Sequence, residues 1–189
     1  MTGTIKVYEQ AVTTDRTAKK LARKHGFKSL TELADSLPKN ARVLDLGAGA
    51  SPFGREVAGL RPDITWVNLD HSYKNHAILN DVGKNSPKNL EYVFADATEL
   101  DKLYKPQTFD VVFSYWLLPH LSIDDYKPAI ETAKAIFTVT KTAGLMSVGP
   151  KINHKSMPSL KSGKSIRLTK IHGLDIDAYA NRIFAETKL

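Results

Sequence analysis

An α/β fold built on a doubly wound, mostly parallel sheet is predicted by three observations. β-rich apolar runs alternate with helical stretches from residue 42 to 149, recurring about every 20 to 25 residues. Four of those runs end on a polar residue, Asp45, Asp70, Asp96 or Ser114. The first of them passes straight into the glycine turn Gly47-Ala48-Gly49. A strand–helix period of that length requires crossover connections, so the strands are parallel and share one carboxyl edge where ligands bind. Four polar positions on that edge are hard to explain as packing.

Ahead of the sheet, residues 12–37 read as one or two helices. Thr13 or Thr14 would open the first and Gly26 would end it. Ser29, with Glu32 three residues on, forms a capping box for the second. Pro38-Lys39-Asn40 then breaks into strand one. Tyr8 and Phe27 are the aromatic residues placed to pack in this region.

Strand one is Val43-Leu44-Asp45-Leu46, followed by Gly47-Ala48-Gly49-Ala50-Ser51-Pro52. Without a Cβ, Gly47 and Gly49 let the chain turn sharply and approach a ligand closely. Ser51 suits a helix cap and Pro52 a first helical position. The turn is expected to present free amides and the Asp45 carboxylate to one small volume. Two nucleotide loops fail here. A dinucleotide fingerprint needs a third glycine where Pro52 stands, and a P-loop needs Gly-Lys-Ser/Thr where Gly54-Arg55-Glu56 stands. A carboxylate in the loop repels a pyrophosphate and suits a ligand carrying an ammonium and a sulfonium. With Asp45-x-Gly47-x-Gly49, the segment resembles motif I of the class I S-adenosylmethionine (SAM) dependent methyltransferases, a Rossmann-like family.

Strand two, Thr65-Trp66-Val67-Asn68-Leu69-Asp70, ends in a carboxylate 21 residues after Gly49. An acid at that spacing is placed to accept hydrogen bonds from ribose hydroxyls, and His71 beside it could line the adenine. Leu90 to Ala97 gives a third strand ending at Asp96. The resemblance implies that Asp96 meets the adenine amino group and that the amide of Ala97 meets a ring nitrogen. Strand four, Phe109 to Trp116, leads into Leu117-Leu118-Pro119-His120-Leu121. Family resemblance makes Ser114 and Tyr115 the place where the chain passes the methionine part and the methyl group. A helix from Asp124 to Val139, the segment Thr142-Ala143-Gly144 and strand five, Leu145 to Gly149, complete a likeness covering residues 40–150.

The tail departs from the family, which adds a helix and an antiparallel hairpin of two strands. Lys151 to Gly163 reads as a loop, Ser165 to Ile171 as one strand and Asp175 to Lys188 as a helix. One strand of the pair is missing, so either the C-terminal cap is reduced or residues 165–173 do not join the sheet at all. The whole chain is read as a single methyltransferase domain, with a helical cap over 1–40, a SAM-binding core over 41–149 and a basic C-terminal element over 150–189.

Composition narrows the chemistry. Zero cysteines exclude disulfides, thiolate zinc sites and a cysteine nucleophile, and with it cytosine-C5 methylation. No metal site is predicted. No run of 18 apolar residues suggests a membrane span, and the polar N-terminus lacks a signal-peptide core, so a cytoplasmic location is expected. The formal charge is +7, with basic residues crowded at Arg16–Lys28 and Lys151–Lys170. Such clusters attract anionic partners.

Methyl transfer to a nucleophile is an in-line displacement, so the enzyme mainly aligns the reactants and excludes water. Tyr115 and Trp116 are candidates for an aromatic face near the sulfonium. His120 is the candidate general base, ahead of His71 and His154. No Asp/Asn-Pro-Pro-Tyr segment follows strand four, which counts against adenine amino-group methylation in nucleic acids. The reading is transfer from SAM, with S-adenosylhomocysteine as product, to a small-molecule acceptor. The alternatives are an RNA methyltransferase that uses both basic clusters, and a non-catalytic SAM-binding module.

Overall fold

A computed structural model describes residues 17–121, 125–149 and 166–170, with Ile176. The expectations on Tyr8, Thr13, Thr14, His154, the 151–163 loop and the 175–188 helix lie outside the described residues. The elements are α1 (Ala18–Lys24), α2 (Leu30–Ser36), β1 (Arg42–Leu46), α3 (Phe53–Leu60), β2 (Thr65–Asp70) and α4 (His76–Gly83). They continue with β3 (Leu90–Phe94), α5 (Leu100–Leu103), β4 (Phe109–Tyr115), α6 (Leu117–Leu121), α7 (Tyr126–Val139), β5 (Thr140–Gly149) and β6 (Ile166–Thr169). The strands form one six-stranded sheet in the order β3-β2-β1-β4-β5-β6, parallel except for β6 against β5. The order reverses between β1 and β4, which puts the ligand crevice at their carboxyl ends. Among the described residues no helix is long and apolar enough to cross a membrane.

Alternate strand residues feed two cores, as the period of two dictates. Val43, Trp66, Val111 and Phe113 meet α1, α2 and α3, while Leu44, Val67, Val112 and Met146 meet α5, α6 and α7. Helix starts follow local chemistry. Thr17 caps the first described helix, α1, by accepting from the Lys20 amide at 3.2 Å. The capping box at α2 forms with a shift: Ser29 accepts from the Glu32 amide at 3.0 Å, but the Glu32 carboxylate reaches back to the amide of Lys28. Asp125 caps α7 through the Lys127 amide at 3.0 Å.

Two expectations change at β5. The strand begins at Thr140 rather than Leu145, because Thr142-Ala143-Gly144 sits inside it as an irregularity between Phe109↔Thr140 and Val111↔Leu145. A Cβ at Gly144 would lie 2.7 Å from the Lys141 carbonyl oxygen and 2.8 Å from that of Asp110, so the chain closes there only on glycine. The tail strand is real: Ile166–Thr169 pairs antiparallel with β5. Its Arg167 guanidinium lies 4.8 Å from the centre of the Phe27 ring, joining the tail to the end of α1.

His25 fastens α1 to the sheet. It is fully buried, shares a 2.9 Å hydrogen bond with the Ser147 hydroxyl and packs against Phe53, Phe113 and Tyr115. Burial, and secondarily the charge of Arg167, lowers its pKa from 6.5 to about 3. The unfolded chain therefore binds a proton near pH 6.5 that the folded chain refuses until about pH 3. His25 leaves stability unchanged above pH 7 and removes it as pH falls from 6.5 towards 3, with a limiting slope of about 1.4 kcal/mol per pH unit. Urea unfolding between pH 7 and 4 checks this: wild type loses stability faster than His25→Gln, and parallel curves would contradict it.

Candidate active site

The glycine turn is shaped by both conformation and contact. Gly47 (φ 76°) and Gly49 (φ 54°) occupy the left-handed region. A Cβ on Gly47 would also lie 3.0 Å from the Cβ of Leu117, so α6 packs directly on the turn. The expectation of free amides is corrected. The amides of Gly47 and Ala48 donate to the Leu69 carbonyl at 2.8 and 3.3 Å, and the Gly49 amide donates to Asp70 Oδ2 at 2.7 Å. Anion-binding turns need unpartnered N–H groups, and here the end of β2 has taken them. With those amides taken and the carboxylates of Asp45 and Asp70 at the same strand ends, the turn is not an anion site.

Asp70 holds two segments at once. Oδ1 accepts from the Ser72 amide at 2.7 Å and starts the short helical turn His71–Lys74, while Oδ2 holds Gly49. Each carboxylate oxygen accepts two hydrogen bonds, so both retain capacity for ribose hydroxyls. Tyr73, which sequence reasoning missed, is buried beneath the turn and donates its hydroxyl to the Gly49 carbonyl at 2.8 Å. Burial, followed by the charges of Asp70 and Asp45, pushes its pKa well above the usual value and keeps the hydroxyl a donor. Asp45 is buried, in register between Asn68 on β2 and Phe113 on β4.

At the neighbouring edge Asp96 is exposed, and its Oδ1 accepts from the amide and the hydroxyl of Thr98, opening the turn Ala97–Glu99. Ala97 is buried behind it. His71 is exposed with its ring 5.6 Å from Phe94, the residue paired with Asp70 across β2 and β3. Phe94 is 50% exposed, which is unusual for a phenylalanine and makes an aromatic rim beside Asp96. It was missed because its strand run gives no hint of which side faces solvent.

The end of β4 separates three residues the sequence placed together. Ser114 is buried, and its hydroxyl has no hydrogen-bond partner among the described residues. Tyr115 turns into the α1–α3 core, its ring 5.9 Å from His25. Trp116 stays half-buried at φ 72°, a conformation that costs a bulky L-residue about 1–2 kcal/mol. Its amide donates to the Gly149 carbonyl at 2.7 Å and its carbonyl accepts from the His120 amide at 3.3 Å. The indole lies 6.3 Å from the Tyr115 ring, nearly perpendicular, and 6.1 Å from the imidazole of His120. Asp45, Gly47, Ala48, Gly49, Asp70, His71, Asp96, Ala97 and Ser114 thus share the carboxyl edge, with Trp116 between β4 and α6 and His120 within α6.

Comparisons with known proteins agree with this arrangement. Residues 43–144 match the family described as "Methyltransferase domain", more than half of the chain. Phosphoethanolamine N-methyltransferase 1 of maize is 31% identical over 91 residues, covering 47% of this chain and 17% of that protein. The chain therefore spans less than a fifth of that curated relative. The Haemonchus contortus phosphoethanolamine N-methyltransferase 1, solved with phosphoethanolamine and S-adenosylhomocysteine, superposes with a TM-score of 0.58 at 18% identity, over 91% of this chain and 35% of that one. A Haloferax volcanii putative methyltransferase, solved with the Trm112 methyltransferase activator, gives 0.55 at 16% identity over 84% and 69%. The sheet order, the glycine turn and the match over 43–144 together make this chain a member of the methyltransferase-domain family, class I, whose methyl donor is S-adenosylmethionine.

Proposed function

We propose that this chain methylates the amine nitrogen of a small, phosphate-bearing acceptor, with phosphoethanolamine the first compound to test. The observation that carries the reading is the start of α6, where Leu117 packs on Gly47 and the rings of the flanking Trp116 and His120 lie 6.1 Å apart. The two phosphoethanolamine methyltransferases above support the acceptor class, and a net charge of +7 suits an anionic substrate.

Residues 41–149 form the SAM-binding core in this proposal. Asp70 accepts from the ribose hydroxyls, Asp96 and the Ala97 amide meet the adenine edge, and His71 with Phe94 covers its ring. The Gly47–Gly49 turn backs the methionine part, whose ammonium is drawn to the Asp45 side, and the chain at Ser114 and Tyr115 passes beside it. The bound donor supplies a methyl on a sulfonium: the nitrogen lone pair forms the N–C bond as the C–S bond breaks, and sulfur keeps that electron pair. His120 takes the proton that the acceptor ammonium must lose before its nitrogen has a lone pair to attack with, and α6 holds it in place for that task.

Calorimetry with SAM and a methyl-transfer assay with phosphoethanolamine test the reading. Binding in the micromolar range and formation of S-adenosylhomocysteine are the expected results. His120→Ala should lower kcat by about 10²–10⁴-fold, the usual weight of a general base, while changing SAM affinity less than twofold. Absence of SAM and S-adenosylhomocysteine binding would sink the proposal.

A further inference from the structure

We infer that Trp116 sets acceptor specificity, holding its indole face against the nitrogen that receives the methyl group; this rests on the amine reading above. A left-handed backbone at a tryptophan persists only where the surroundings over-determine it. Here the clamp is visible on both sides, with the Trp116 amide on the Gly149 carbonyl at 2.7 Å and the Trp116 carbonyl on the His120 amide at 3.3 Å. A relaxed φ would break both bonds and swing the indole away from His120. The next residue, Leu117, packs on Gly47, so the clamp ties the indole to the glycine turn as well. Tyr115, the other aromatic at this strand end, is buried inside the α1–α3 core, whereas Trp116 packs on the rim of that core and stays half-exposed, with its ring 6.1 Å from that of His120.

The charge balance of the reaction gives that ring its use. Once His120 has taken the acceptor's proton, transfer to the free amine moves one positive charge from sulfur to nitrogen, so the methylated product is itself a cation in the crevice. Transfer to a hydroxyl releases a proton, and the methylated product is neutral. Tryptophan has the most favourable aromatic face for a cation. An indole kept in place by backbone strain therefore favours acceptors that become ammonium ions, and it binds the more highly methylated ones best.

The test uses the full chain saturated with S-adenosylhomocysteine and two probes of nearly equal shape. Phosphocholine carries a quaternary ammonium, whereas 3,3-dimethylbutyl phosphate carries a neutral carbon in its place. By calorimetry, wild type should bind phosphocholine about tenfold more tightly than the neutral probe. Trp116→Leu, which keeps apolar bulk, should lose that preference, and Trp116→Phe should retain part of it. S-adenosylhomocysteine affinity should stay within twofold in both variants. A preference unchanged in Trp116→Leu, or absent in wild type, overturns the inference. If wild type methylates phosphoethanolamine while Trp116→Leu keeps the charge preference, the inference fails and the proposed reaction stands. If the preference depends on Trp116 but no amine is methylated, the reaction fails and the cation-binding role stands.

Discussion

Replacing Asp70 with alanine should raise the Kd for SAM by about 100-fold or more. Two effects act together. The variant loses the acceptor for the ribose hydroxyls, and hydrogen bonds to a charged group are each worth about 1.5–3 kcal/mol. It also strands the Gly49 and Ser72 amides, which now bond to the two carboxylate oxygens at 2.7 Å each. Water reaches this half-buried position and replaces part of the loss, so the lower end of the range applies. Asp70→Asn keeps one acceptor oxygen and should fall between, near tenfold. Calorimetry reads the affinity, and thermal unfolding reads the separate contribution of the two loop bonds. If Asp70→Ala changes Kd by less than threefold while lowering Tm, Asp70 is a turn cap and takes no part in the cofactor site.

That double role of Asp70 illustrates what the sequence made legible. The parallel order, the glycine turn and the acids at strand ends follow from period and spacing, which are properties of the chain alone. Whether the turn's amides are free is a different kind of fact. It depends on the register that pairs Leu69 with Leu46 and so puts the Leu69 carbonyl and the Asp70 carboxylate within reach of the turn's amides, and register is a tertiary outcome. Tyr73 and Phe94 escaped for the same reason, since nothing in their neighbours distinguishes a buried phenol under the turn from an exposed ring beside it. Tyr115 and Trp116 are adjacent, both aromatic and packed on the same core, yet one is buried and the other half-exposed, and that difference accompanies a sign of φ that tryptophan rarely adopts. At β5 the Ala143-Gly144 step looked like the end of a helix connection. It lies within the strand because β5 pairs on both sides, with β4 and with β6.

Gly54→Ala should destabilise the protein by about 2–4 kcal/mol, against the direction that helix propensity predicts. Gly54 lies in α3, where alanine is normally favoured by about 1 kcal/mol. Its Cβ, however, would stand 2.4 Å from both Asn68 Oδ1 and Trp66 Nε1. Those two atoms form a 2.8 Å hydrogen bond between side chains with no solvent exposure. The indole cannot swing clear, because Phe53 and Phe113 pack on it at 5.4 and 5.7 Å. Overpacking of this kind costs about 1–3 kcal/mol, and parting a buried donor from its acceptor adds about 1–3. Together they exceed the propensity gain. Urea unfolding should show a lower midpoint with an unchanged m-value. Trp66→Phe removes the Nε1 atom and opens space, so Gly54→Ala should cost less in that background, a coupling that a double-mutant cycle measures. Asn68 is level with Asp45 in the sheet, so a displaced Asn68 should also weaken SAM binding. A Gly54→Ala variant as stable as wild type would mean that Trp66 and Asn68 move apart freely, and that the glycine is not there to admit them.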